Sequence, residues 1–130
     1  YEVQVDLANE VIEQERAINE SEVKIEEDCL KILALHQPVA VDLRETATVL
    51  KINNDLERIA DLAVNIAERT IGLSHYPNFH IPAALEPMTK VTVSMLRDAI
   101  DAFIDFDTDK AREVCKRDDI VDGYNREIIN

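Results

Sequence analysis

The chain has 130 residues, with 14 basic against 27 acidic side chains and a formal charge of -13. So acidic a balance excludes a nucleic-acid or anionic-membrane surface, because contact with phosphates needs Lys and Arg that dominate locally. Apolar residues make up 46%, enough for a folded domain, while two Gly, four Pro and no Trp leave little turn material for an all-β fold. The expected class is all-α, an antiparallel helix bundle.

Taken in chain order, Asp6 is read as an N-cap. Leu7, Val11, Ile18, Ile25, Cys29 and Ile32 then recur at helical spacing up to His36-Gln37-Pro38, which predicts a first helix over residues 6–35. The second helix is expected to open with Pro38 in its first turn and run to Gly72, with Val49, Ile52, Leu56, Ile59, Ala63 and Ile66 as its apolar seam. Ser74 to Pro82, holding two prolines, Asn78, His75 and His80, reads as the one extended loop. A third helix follows over residues 83–105, irregular around Pro87, with Phe103 and Phe106 as core or interface anchors. The fourth runs from Asp109 to the end behind the cap cluster Asp107-Thr108-Asp109, and Gly123 inside it costs ~1 kcal/mol against Ala.

An internal repeat organises these elements. Val11 lies over Val114, Glu15 over Asp118, Asn19 over Asp122, Asp6 over Asp109 and Ile25 over Ile128, a constant offset of 103 residues. The first and fourth helices are therefore equivalent members of two repeats. Each repeat should own three helices, which divides the chain into residues 1–73 (second and third helices of one repeat), a linker at 74–82, and residues 83–130 (first and second helices of the next). Two incomplete bundles expose apolar seams at roughly 25 cal/mol per Å². Self-association through those seams is expected. The chain opens at Tyr1 rather than Met and stops at Asn130 inside an amphipathic pattern, so a piece of a longer protein, or one with disordered ends, is also expected.

Cys29 and Cys115 stand far apart with no CxxC and no nearby His pair, so neither a zinc site nor a disulfide framework is indicated. Both read as buried apolar residues in a reduced, cytoplasmic setting. No apolar run approaches the ~18 residues of a membrane span, and no signal peptide opens the chain.

The residues that carry chemistry are carboxylates. Glu57 and Asp61 are four apart on the second helix and, on a helical wheel, point away from its seam to the outside of the bundle. Glu15 and Asn19 repeat the spacing on the first helix, with Glu22 and Glu26 along the same flank, and Asp118 and Asp122 repeat it on the fourth. Oxygen pairs on adjacent antiparallel helices can converge on a hard cation. Against this stands a solvated acidic face, neutralised by Arg16 and Arg58 in surface ion pairs worth ~0–1 kcal/mol. Like charges at this spacing cost a few tenths of a kcal/mol, so their recurrence at equivalent positions invites a metal ion.

Other constellations fail. Glu-x-x-His, the signature of di-metal bundle enzymes, precedes none of His36, His75 and His80. No GxGxxG, P-loop or GxSxG is present, and no base, nucleophile or oxyanion donor stands beside the carboxylates. The chain is not read as an enzyme.

The run Lys51-Ile52-Asn53-Asn54-Asp55-Leu56-Glu57-Arg58-Ile59-Ala60-Asp61-Leu62, continuing to Glu68, resembles the signature helix of the PhoU family of phosphate-uptake regulators. Gln37-Pro38-Val39-Ala40-Val41-Asp42-Leu43-Arg44 resembles the turn that precedes that helix in the family, and Glu15 with Ile18 and Asn19 its preceding acidic motif. Met95-Leu96-Arg97-Asp98-Ala99 and Asp118-Asp119-Ile120-Val121-Asp122 resemble the start of the second repeat. The resemblance implies tandem three-helix bundles and a cytoplasmic negative regulator of phosphate-starvation signalling. Such a regulator contacts the phosphate-specific ABC transporter and a sensor histidine kinase, as a homodimer, without nucleic acid and without a membrane span of its own. It further implies a metal ion (iron, zinc, manganese or magnesium) at Glu57, Asp61, Glu15, Asn19, Asp118 and Asp122. Asn19 departs from the family's acid, and the second repeat's third helix is absent, which leaves its site half built. The competing expectation is a domain of the same kind serving another membrane transporter, a sodium–phosphate or potassium system.

Overall fold

The computed structural model describes residues 4–130 and contains four helices: α1 (Val5–His36), α2 (Ala40–Leu73), α3 (Leu85–Ile104) and α4 (Thr108–Ile129). No strand occurs among the described residues, so the fold is all-α as expected. No helix among them is long and apolar enough to cross a membrane. The chain divides into two units between Phe79 and His80, α1 packing on α2 in the first and α3 on α4 in the second.

The helix ends differ from expectation in local ways. Gln4, not Asp6, is the N-cap of α1, so Asp6 lies in the first turn, where a negative charge complements the helix dipole. Pro38 precedes α2 rather than joining it, the N-cap being Val39. A residue before proline is barred from the right-handed helical region, and Gln37 takes a left-handed conformation (φ 39°) that ends α1 there. Pro87 falls in the first turn of α3, where no N–H is needed, so the helix continues through it. The Asp107 cap is as expected, its carboxylate accepting from the Lys110 N–H at 2.9 Å.

Phe106 lies beyond α3 rather than anchoring it. It has φ 54°, and the N–H groups of Phe106 and Asp107 donate back to the carbonyls of Phe103 (3.4 Å) and Ala102 (2.9 Å). Those two bonds form a Schellman stop, with Phe where glycine is usual.

Packing in the first unit runs along small residues. Ala8 and Cys29 of α1 and Ala60, Val64 and Ala67 of α2 are buried, together with one polar side chain, Asn53. The seven-residue spacing Ala8, Glu15, Glu22, Cys29 faces the spacing Asn53, Ala60, Ala67, and alanines let the two axes approach closely. Asn53 Nδ2 donates to the Glu22 carbonyl at 2.9 Å, fixing the register of the pair. The buried row of α2 is thus turned one residue, about 100°, from the expected seam. Ile59 and Ile66, placed in that seam by periodicity, are 42% and 68% exposed.

Burial pushes the Cys29 thiol above its ordinary value, with the Asp28 charge adding. Cys115 is exposed on α4, not buried as expected, and both cysteines are free.

In the second unit α4 turns Val114, Arg117, Val121, Tyr124 and Ile128 toward α3, while Ala84 and Ala102 are the buried residues on the other side. Arg117 joins the pair, its Nη2 donating to Asp98 Oδ2 at 2.5 Å and its Nη1 to Ser94 Oγ at 2.9 Å.

Candidate functional site: the acidic seam of the first unit

Glu57 follows Asn53 by one turn of α2. Because Asn53 meets Glu22 and the two helices run antiparallel, Glu57 enters the stretch of α1 between Glu22 and Glu15. All three glutamates are half-buried there, while Asp61 is exposed at the edge. The wheel placed Glu57 on the outside of the bundle; the structure turns it into the groove, for the same reason that Ile59 and Ile66 are turned out. An apolar row of large residues suggested one packing face, and the row of small residues beside it is the one used.

Crowding of like charge changes the acid. The Glu57 carboxyl is held above its ordinary value of 4.5, first by a hydrogen bond with Asp61, then by the Asp61 charge, by loss of solvent, and by the charges of Glu22 and Glu15. Among the described residues no Lys or Arg forms an ion pair with any of these four acids. Arg16, a neighbour in sequence, pairs with Glu20 at 3.5 Å on the exposed side.

Of the expected site residues, Glu57, Asp61 and Glu15 therefore share one electrostatic neighbourhood. Asn19 is exposed beside Glu15, where both line a shallow depression with Ile12, Arg16, Glu20 and Val23. Asp118 and Asp122 are exposed on α4, off the row that meets α3. Glu22 was expected along the flank of Glu15 and Asn19 without a ligand role, and Asn53 was not expected at the site. Among the described residues no three His, Cys, Asp or Glu side chains converge closely enough to hold a metal ion.

The chain matches the PhoU domain over residues 1–70 and 85–130. It belongs to the PhoU family. It is 42% identical over 118 residues to the phosphate-specific transport system accessory protein PhoU homolog of Aquifex aeolicus, covering 91% of this chain and 53% of that protein. It is 39% identical over 126 residues to the phosphate-specific transport system accessory protein PhoU of Escherichia coli K12, covering 95% and 52%. A Thermotoga maritima homolog of the same description is 38% identical over 123 residues, covering 94% and 53%. The chain thus spans about half the length of the curated relatives it matches.

Proposed function

We propose that the chain is part of a regulator of phosphate uptake that works by protein contact and not by catalysis. Family membership over both helical pairs supports this, together with relatives described as accessory to phosphate-specific transport. The partners in this reading are the phosphate-specific ABC transporter and a sensor histidine kinase, met in the cytoplasm by a homodimer, with repression of starvation genes as the output. No catalytic constellation competes with it: the acids of the seam have no nucleophile beside them.

Glu57, Asp61 and Glu15 would hold a hard cation, with Asn19 as a neutral oxygen donor and Glu22 as a further acid swung in from α1. Asp118 and Asp122 would hold a second one. A bound ion would supply the positive charge the seam lacks and tie α1 to α2. The reading is tested by deleting the gene of the intact protein and measuring a phosphate-starvation reporter in rich phosphate. Loss of repression, restored by the wild-type gene, is expected, and unchanged repression would refute it. Elemental analysis of wild type and Asp61→Ala tests the metal separately, with uptake expected only in the former.

A further inference from the structure

From Thr70 to Leu85 the chain has no Asp, Glu, Lys or Arg, although 32% of its residues are charged. The portion in the first unit, up to Phe79, caps the end of α2 with successive turns. The His75 N–H donates to the Gly72 carbonyl at 3.3 Å, the Tyr76 N–H to Leu73 at 2.9 Å and the Phe79 N–H to Tyr76 at 3.0 Å. The Ser74 hydroxyl donates to the Ile71 carbonyl at 2.6 Å. The backbone is held, yet the rings are not covered. Tyr76 is 68% and Phe79 44% exposed, and with Leu73, Pro77 and Asn78 they wall a shallow, mostly apolar depression.

Aromatic side chains presented on a hydrogen-bonded turn lose little freedom when they are bound. Protein interfaces carry this composition at their centre, where charged residues are depleted and Tyr and Phe enriched. Elsewhere the chain is strongly negative, at -13 overall. Its long-range field steers it toward positive surfaces, while only an uncharged patch is cheap to desolvate once there.

We propose that the Leu73–Phe79 turn is a docking knob for an apolar cleft rimmed by Lys and Arg on a partner protein, Tyr76 and Phe79 filling the cleft. The first partner to test, the phosphate-specific transporter, rests on the function proposed above. The same net charge disfavours an anionic lipid surface or a nucleic acid.

The experiment measures binding of the protein to the purified transporter in phosphatidylcholine nanodiscs, with empty nanodiscs alongside. It compares wild type, Tyr76→Ser with Phe79→Ser, the single Tyr76→Gln, and Ile120→Ser as a control at an exposed apolar residue elsewhere. Helical circular dichroism of each variant accompanies the measurement. The double substitution is expected to raise Kd about tenfold or more. Tyr76→Gln should act in the same direction and Ile120→Ser should leave Kd unchanged. Wild-type affinity should fall as KCl rises from about 50 to about 500 mM. Wild-type binding undiminished by either knob substitution overturns the inference and leaves the transporter reading standing. Equal binding to empty nanodiscs overturns it in favour of lipid. Absence of wild-type binding removes the transporter reading and this inference together.

Discussion

Phe106 and Gly123 show glycine missing where the backbone needs it and present where it does not. Phe106 holds a left-handed conformation costing a side-chain-bearing residue about 1–2 kcal/mol, and its ring is 72% exposed, so little packing offsets that cost. Gly123 lies inside α4, and an added Cβ would meet nothing within 4 Å. Phe106→Gly is expected to raise stability by about 0.5–1 kcal/mol after the extra unfolded-state entropy of glycine is subtracted. Gly123→Ala should add about 1 kcal/mol. Urea unfolding of each variant checks both. Glu57 is a third local conflict. Its folded-state carboxyl titrates above its unfolded value, so the stability tied to its protonated form is complete below about 4.5 and is lost as pH rises through the raised value. Glu57→Gln keeps a donor for Asp61 without the charge. In metal-free buffer it should be more stable than wild type at pH 7, with the difference vanishing as pH falls below the ordinary carboxylate range. A difference that grew on acidification would show that the glutamate is not crowded.

The α1–α2 pair shows how much of an element can be read ahead of its structure. Both helices were legible to within a few residues, because Gln37-Pro38 and the Ser74–Pro82 cluster interrupt the periodicity by simple backbone chemistry. The face used for packing was legible only in part: Val49, Ile52, Leu56 and Ala63 of the expected seam are half-buried, while Ile59 and Ile66 are exposed. Val49, Ile52, Leu56, Ile59, Ala63 and Ile66 form the more apolar row, yet α1 meets the row of Asn53, Ala60, Val64 and Ala67. A helix in a three-helix unit buries two rows, and periodicity alone does not say which of them faces which neighbour. That one-residue rotation also decided the candidate site, carrying Glu57 from the expected solvent face into the groove beside Glu15 and Glu22. Asn53 holds the chosen register, being a buried amide with its donor on the Glu22 carbonyl. Asn53→Ala removes that bond and leaves a space between two helices that already touch through alanines. A loss of about 1–2 kcal/mol in urea unfolding is expected. A neutral result would mean that the alanine rows alone set the register.

At the scale of the molecule the internal repeat says which faces lack a neighbour. The half-buried row of α4, comprising Lys110, Val114, Arg117, Val121, Tyr124 and Ile128, corresponds under the 103-residue offset to Leu7, Val11, Gln14, Ile18, Ser21 and Ile25 of α1. In the second unit that row meets α3. In the first unit no helix covers it, and Leu7, Ile18 and Ile25 are exposed. The two helices aligned by that offset thus meet their neighbours with different faces, α1 the helix after it and α4 the helix before it. Among the described residues the buried apolar side chains are Ala, Cys and Val alone, the larger ones remaining partly in water. Two copies of the 130-residue chain that joined these open rows would bury isoleucines and leucines at ~25 cal/mol per Å², against a mutual repulsion set by the charge of -13 on each. Screening weakens the repulsion and leaves the apolar gain. The chain is therefore expected to self-associate in sedimentation velocity as concentration rises, and more strongly at high salt, the opposite of the salt response expected at the Tyr76 knob. Ile18→Glu combined with Ile25→Glu should return it to monomer. A monomer at every concentration and salt would show that the open row of α1 is satisfied within a single chain.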